Sequence, residues 1–468
     1  MNTEQVSENT AVSNDDKLDF KRILPIFVIV LIDLLGLTII IPLLPLYAAS
    51  FGVTPAVIGL LGAMYPLMQI VGAPVLGRLS DRYGRKPILI ISQIGTLLGF
   101  ILLGFANTIV LLFVARIVDG ISGANISTAQ AAITDSTTEK TRTQGLGLIG
   151  AAFGLGFIIG PVIAFISLAA SNNDYRVPAF VAAGFSLLSI LLTTFWFHET
   201  LPEDERGQRQ NLETFSLKAL VKALSNPAVG ILLILMFAQQ LAFGGFEQLL
   251  ALFTLANQGF NASRNAIIFV YVGVIVVAVQ GYFIGKWSQR FGDRRLIYGG
   301  LALLAIGLVA ISFTPRQPLP GYSKAALEEE LSAGRQGVGE TPPTQNVAVD
   351  LPEENNTGWL GLGWILAAMV PLAIGGGILQ PAINSLITKR VDQQEVGGML
   401  GISSSFLSAA NALAPIIGGI LFQALGPRSP FLSGGFLMAL LLFVAMRLVT
   451  PGREENMAAG LARGGDTH

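Results

Sequence analysis

The chain has 468 residues, of which 52% are hydrophobic and 13% charged, and its formal net charge is -1. A soluble domain carries about 25% charged residues, so this composition, with a mean hydropathy of +0.63, describes a protein that lives in lipid. Cysteine is absent and the two histidines stand at His198 and His468, which excludes disulfides and thiol chemistry and leaves nothing from which to build a histidine metal site.

A bilayer core takes about 20 apolar residues per helix, and the chain supplies twelve runs of that kind. Six fall at 24–47, 56–76, 88–105, 109–134, 145–168 and 178–197. Six more fall at 227–255, 266–287, 296–313, 359–386, 399–425 and 430–449. They are too long, and too uniform in polarity, to be the alternating strands of a membrane barrel. The first run is longer than the apolar region of a signal peptide and is expected to stay as the first span. The fold class is therefore an all-α polytopic membrane protein of twelve transmembrane helices. The expected divisions are a tail at 1–22, a six-helix bundle at 23–198, a linker at 199–226 with amphipathic helix, a second bundle at 227–449, and a tail at 450–468. A loop at 315–357, rich in Pro, Gly and acids, interrupts the second bundle and reads as flexible, with a lid or partner surface as its alternative.

Charge sorts the loops. One set holds Lys17, Lys21, Arg22, Arg78, Arg82, Arg85, Lys86, Lys140, Arg142, Arg206, Arg209, Lys218, Lys222, Lys286, Arg290, Arg294, Arg295, Lys389, Arg390, Arg447, Arg453 and Arg463; the other holds Arg176, Arg264, Arg316, Lys324, Arg335 and Arg428. Cationic short loops stay inside, so the first set and both termini are expected in the cytoplasm, in a multi-pass plasma (inner) membrane. The sorted charge gives no sign of nucleic-acid binding.

Eleven residues between the second and third runs, Gly77-Arg78-Leu79-Ser80-Asp81-Arg82-Tyr83-Gly84-Arg85-Lys86-Pro87, resemble the loop signature of the major facilitator superfamily. Gly285-Lys286-Trp287-Ser288-Gln289-Arg290-Phe291-Gly292-Asp293-Arg294-Arg295 echoes them at the matching junction of the second half, with Gln289 in place of Asp81. The resemblance implies two six-helix bundles related by an axis along the membrane normal. It also implies a gate of Gly77, Asp81, Arg82, Gly84, Arg85 and Asp135, in which Asp81 meets the start of the eleventh helix and Arg85 pairs with Asp135. An acid at a helix N-terminus is favourable.

Ionisable groups inside a bilayer are costly and mark function by default. Arg116, Asp119, Gly120 and Gly123 share one face of the fourth helix. Two readings stand for Arg116 and Asp119: a site where a carboxylate takes and releases a proton, and a static pair that orients helices. Asp33, in Asp33-Leu34-Leu35-Gly36 ahead of Pro42 and Pro45, resembles the first-helix signature of the drug:proton antiporter branch, which implies proton coupling; a packing hydrogen bond is the other reading. Glu247, after Gln239, Gln240, Phe243 and Phe246, suits a cavity for an amphipathic cation, or is simply hydrated near a helix end. Tyr65, Gln69, Asn125, Gln130, Gln280, Gln380, Asn384 and Asn411 complete a candidate cavity wall, each also serviceable as interhelical glue.

Gly156, Gly160 and Pro161 in the fifth run match part of the antiporter signature, with Ala164 and Phe165 in place of its last two glycines, and Pro415 in the eleventh run echoes them. These are expected at close helix contacts or bends. The stretches 59–87 and 116–135 resemble the tetracycline and multidrug efflux branch, although the eighth run lacks the histidine of the metal-tetracycline exporters. The resemblance implies a proton-coupled antiporter for small amphipathic compounds, acting as a monomer with the proton gradient as energy source and no cofactor. The alternatives are a proton symporter importing a metabolite and a non-transporting receptor. No nucleophile–base set, nucleotide loop or metal cluster points to an enzyme.

Overall fold

A computed structural model describes residues 19–123, 125–138, 141–207, 217–226, 229–333, 349–391 and 396–449. Most of both expected tails (1–18, 450–468), part of the linker (208–216) and the middle of the long loop (334–348) lie outside the described residues, as do Lys17, Lys140, Arg209, Arg335, Arg453 and Arg463.

Twelve helical segments are long and apolar enough to cross a membrane, and no strand occurs among the described residues. The first six spans are α1 (Phe20–Ile40) with α2 (Leu44–Ser50), α3 (Pro55–Tyr83), α4 (Arg85–Gly104), α5 (Ile109–Ser122) with α6 (Asn125–Asp135), α7 (Arg142–Ala170) and α8 (Arg176–Phe195). The short α9 (Leu217–Leu224) leads to the second six. These are α10 (Gly230–Gln258), α11 (Ala262–Ala278) with α12 (Ile284–Phe291), α13 (Asp293–Ser312), α15 (Leu360–Arg390), α16 (Val396–Leu425) and α17 (Ser429–Leu448); α14 (Lys324–Ala333) lies between α13 and α15, off the membrane path.

Three spans expected to run straight are interrupted. Pro42 and Pro45 separate α1 from α2, because each lacks a backbone donor. The fourth span breaks after Gly123, which caps α5 with its N–H on Asp119 O at 2.5 Å. In the eighth, a π-helical turn, Val279–Phe283, joins α11 to α12. Such breaks inside a bilayer persist only where neighbouring groups take up the freed backbone. Gln69 does this at Gly123, donating from Nε2 to its carbonyl at 3.1 Å. The bends expected at Pro161 and Pro415 do not interrupt their helices, which run on through both prolines.

Each half packs within itself, α1 against α7 and α8 in the first and α13 against α15 and α17 in the second. The halves meet along α3 with α16 and α7 with α11. These seams are tight at one end only. At the end away from the arginine-rich loops, a Cβ on Gly59 would sit 2.1 Å from Pro415 O, and one on Gly419 would sit 2.6 Å from Pro55 O. Gln423 Oε1 there accepts from Ala56 N at 3.2 Å. At the arginine-rich or basic end, a Cβ at Gly77, Gly147, Gly150, Gly281 or Gly285 on the same spans would meet nothing within 4 Å among the described residues. The contrast describes a cleft between two bundles, shut at the far end and, among the described residues, without such close contacts at the basic end.

Gly59→Val places a branched three-carbon side chain where the Pro415 backbone lies, which the helix cannot yield by rotating a side chain. The far seam is expected to part. In this cysteine-free chain, a Gln248→Cys reporter facing Gly62 across the seam should be alkylated several-fold faster in the Gly59→Val background. An unchanged rate would contradict the seam assignment.

Candidate functional site

The break in the fourth span builds the centre of the cleft. Arg116 and Asp119, three residues apart on the last turns of α5, are 5% and 1% exposed, and Arg116 Nη1 donates to Asp119 Oδ2 at 2.7 Å. The guanidinium lies over the Tyr65 ring from α3, 4.8 Å from its centre, an attraction that strengthens away from water. The glycines of that face make the approach possible. A Cβ on Gly120 would be 2.7 Å from Tyr65 O, and one on Gly123 2.6 Å from Tyr65 Oη. From the other side Gly99 of α4 admits Asp119, whose Cβ lies 2.7 Å from where a side chain would begin.

Past the break, Asn125 opens α6 and donates from Nδ2 to Asp33 Oδ2 of α1 at 2.5 Å. Asp33 Oδ1 is buried and has no hydrogen-bond partner among the described residues. An ionised carboxylate with a bare oxygen is expensive in such a setting. Asp33 thus lacks the cation that Asp119 has.

In the second half Glu247 occupies the middle of α10. Helical periodicity places it between Phe243, which packs on Gly376 of α15, and Gln248, which meets Gly62 of α3, so it looks into the space between the halves. Gln240 Nε2 donates to Asn411 Oδ1 at 2.7 Å, tying α10 to α16. Gln239 and Asn384 are turned inward, and Gln239 Oε1 and Asn384 Oδ1 have no partner among the described residues. Gln280 sits half-buried in the π turn, and Gln130 and Gln380 are exposed. Phe246 is 4% exposed and rests edge-on against Phe431 of α17; it belongs to the core rather than the cleft. Gln69 serves the Gly123 break rather than the cleft.

The contact glycines of the fifth span lie beside α1. A Cβ on Gly160 would be 2.1 Å from Thr38 Oγ1, whereas one on Gly156 would keep ordinary contact with Leu34 and Thr38 at 3.5 and 3.6 Å. Buried Pro161 follows.

At the basic end Arg85 is buried. Its Nε donates to Asp135 Oδ2 at 2.9 Å, and its Nη1 to Ser80 Oγ at 2.7 Å and Asp81 Oδ1 at 2.6 Å. Arg82 is exposed. Gly84 takes φ +105°, a conformation for glycine, and a Cβ there would strike Glu199 Oε2 at 2.5 Å. Glu199, placed by sequence at the start of the linker, is in fact the acceptor for four backbone donors: Arg85 N at 2.8 Å and Lys86 N, Thr200 N and Leu201 N at 3.0 Å. It caps α4, whose first N–H groups have no helical partner. No described contact joins Asp81 to the start of α16. The seam is open at that end, and Asp81 bonds within its own half.

The second half repeats this latch with the charges exchanged. Gly292, at φ +78°, stands where Gly84 does in the repeat, and Asp293 where Arg85 does. Asp293 accepts from Ser288 Oγ, from Ser385 Oγ at 2.6 Å and from Lys389 Nζ at 2.6 Å. Ser288 matches Ser80, and Lys389 at the end of the tenth span matches Asp135 at the end of the fourth. An arginine with an acid partner in one half has become an acid with a lysine partner in the other. The paired glycine blocks were the available signal for Ser288, Asp293 and Lys389.

The family model for the Major Facilitator Superfamily matches residues 26–327 and 356–464. The chain belongs to that superfamily. It is 27% identical over 400 residues to the tetracycline resistance protein, class B, of Escherichia coli, covering 85% of this chain and 87% of that protein. It is 29% identical over 393 residues to multidrug resistance protein 1 of Bacillus subtilis (strain 168), covering 84% and 87%. Among solved structures it resembles a bacterial homolog of the human lysosomal transporter Spinster, in an inward-facing and unoccupied conformation, at a TM-score of 0.65 and 15% identity over 93% of this chain and all of that one. A superfamily member with this architecture is a multi-pass membrane transporter, not an enzyme.

Arg116→Ala leaves Asp119 buried without its cation, which costs about 3–5 kcal/mol. The double variant Arg116→Met with Asp119→Leu removes both charges and should return most of that loss, read by thermal unfolding in detergent. A double variant as unstable as the single one would show that the pair, not the stranded acid, carries the stability.

Proposed function

We propose that this chain is a proton-coupled antiporter that exports small amphipathic compounds by alternating access. The observation that carries the reading is a pair of membrane-embedded carboxylates, Asp33 and Glu247, one in each half, with no ion pair to either among the described residues; we read both as serving the cleft. The relatives named for tetracycline and multidrug resistance support export as the direction.

The orientation follows from charge. The arginine-rich end faces the cytoplasm, with both termini, because short cationic loops are retained there. The cleft is then open inward and sealed outward. A compound from the cytoplasm or inner leaflet meets Phe243, Gln240 and Glu247 on one wall and Asp33 and Tyr65 on the other. An amphipathic cation is favoured by the two acids and by the ring faces. Its arrival requires the acids ionised, so the proton carried from outside leaves to the cytoplasm. After the halves rock, an external proton neutralises the acid and the compound dissociates outward. Asp119, held by Arg116, keeps its charge compensated through the cycle and fixes the geometry of the break, so that Asn125 continues to reach Asp33. The proton gradient is the energy source, small molecules and protons are the partners, and one chain contains both walls and so acts as a monomer in the bilayer.

The basic-end latches are the gate. When the inner end closes, Asp81 is free to leave Arg85 for the N-terminus of α16, where the helix dipole favours an acid.

Asp33→Asn keeps the Asn125 contact in shape but cannot ionise. In proteoliposomes, a compound gradient should no longer drive proton movement through this variant, while the thermal shift caused by the compound persists. Proton movement equal to that of the parent chain would refute Asp33 as the coupling group.

A further inference from the structure

The described arms of the loop between α13 and α15, 315–333 and 349–359, are ordered by contacts that their composition does not predict. Arg316 Nη2 donates to Asp350 O and Oδ2, both at 2.8 Å, and to Leu351 O at 3.0 Å, which pins the two arms of the loop together. Lys324 N donates to Glu354 Oε1 at 2.6 Å, and Gln317 Oε1 accepts from Leu360 N at 3.1 Å. Tyr322 covers Gly259, the left-handed cap of α10, so closely that a Cβ there would lie 2.1 Å from its ring. The arms at 315–333 and 349–359 are thus fixed to the second half.

From that base α14 reaches across to the first half. It packs on α2, the short outer piece of the first span, which also touches α10. All seven residues of α2 are buried, although it ends a span at the membrane surface. Leu327 and Leu331, one turn apart on α14, are 6% and 1% exposed. The next residue along that face, Glu330, accepts from Asn261 Nδ2 at 3.1 Å, while its Oε1 is buried with no partner among the described residues. Arg264 on α11 and Tyr175 in the first-half turn before α8 lie within its electrostatic reach. α2 contributes no charged residue, and the acids on α14's own helix are Glu328 and Glu329. Next to this cluster Ser263 Oγ donates to Asn173 Oδ1 across the halves.

We propose that α14 is an external strap that holds the outer end of the transporter shut, and that Glu330 makes its grip depend on the pH outside. This rests on alternating access with the orientation given above. For the outer end to open, α2 must leave both α10 and α14, so the cycle includes undocking of the strap. Burial pushes the Glu330 carboxyl above its usual value, against the opposing pull of Asn261 and Arg264. The docked strap therefore binds a proton more readily than the undocked one. Its grip is full below the ordinary glutamate range and weakens as external pH rises through the raised value. External acid latches the outer end, and external alkali releases it.

The chain has no cysteine, so spin labels can be placed at Asn107→Cys and Ala424→Cys, exposed outer positions in opposite halves. Their distance distribution reads outer opening without any transported compound. Leu327→Asp with Leu331→Asp should raise the long-distance population by about tenfold or more, since each leucine loses its burial. In the parent chain that population should grow as pH is raised. Glu330→Gln keeps a neutral group at Asn261 and should hold the population low at both acid and alkaline pH, with its thermal unfolding unchanged. Gly59→Val, which splits the seam itself, provides the reference for an open outer end. If Gly59→Val opens the outer end and the leucine variant does not, the strap is overturned. If Glu330→Gln keeps the parent's pH response, Glu330 is not the sensor. If no variant opens the outer end, alternating access fails instead.

Discussion

Nothing polar can be left bare in the hydrocarbon, and the architecture of this transporter follows from how that constraint is met. Backbone groups are satisfied by twelve helices. Where a helix breaks, a side chain takes up the freed group, as Gln69 does at Gly123. Buried arginines are matched: Arg116 by Asp119 and the Tyr65 ring, Arg85 by Asp135, Asp81 and Ser80. Among the described residues the constraint is left unmet at Asp33 Oδ1, as at Gln239 Oε1 and Asn384 Oδ1, and of these three groups only the carboxylate can remove the cost by taking a proton. A group that is satisfied only when it carries a proton, beside a cleft open at one end, is the physical basis of the proposed coupling.

The two halves are related by more than topology. The glycine turns at Gly84 and Gly292 place Arg85 and Asp293 at the same point of each bundle, each buried and each tied to the end of the fourth or tenth span. With the sign exchanged each buried charge still has a counter-charge and serine support, Arg85 from Asp135, Asp81 and Ser80 and Asp293 from Lys389, Ser288 and Ser385. The difference lies at Asp81, which Gln289 replaces. Only the first half keeps an extra acid at this point, and in the proposed gate that acid is the one able to change partners. At the far end of the α3–α16 seam, glycine meets backbone at Gly59 against Pro415 and Gly419 against Pro55, a close packing that small residues permit.

The twelve spans were legible because a bilayer imposes length and apolarity on each, and the Arg85–Asp135 pair because the loop block around it is so specific. The face of Arg116, Gly120 and Gly123 was legible from helical spacing, though it meets Tyr65 rather than open space. Glu199 was hidden: its role depends on the sixth span ending beside the start of the third, and no local pattern encodes that meeting. The interruption at Gly123 was hidden as well, since glycine is common in membrane helices and a break is set by which neighbours offer donors. Phe246 and Gln69 read as cavity residues because polarity and aromaticity do not say which face of a helix points at a partner. The loop at 315–357 read as flexible from its Pro, Gly and acids, while the i, i+4 pair Leu327 and Leu331 was the signal of a docked helix.

The central claim is an obligatory exchange of protons for an organic compound through one cleft. Its most direct test is proteoliposomes with equal pH on both sides, a trapped pH dye, and an outwardly or inwardly directed gradient of an amphipathic cation as the sole driving force. The account predicts that protons move opposite to the compound, reverse when its gradient is reversed, and stop in Asp33→Asn. Compound flux with a silent dye, or protons moving in the same direction as the compound, would contradict it.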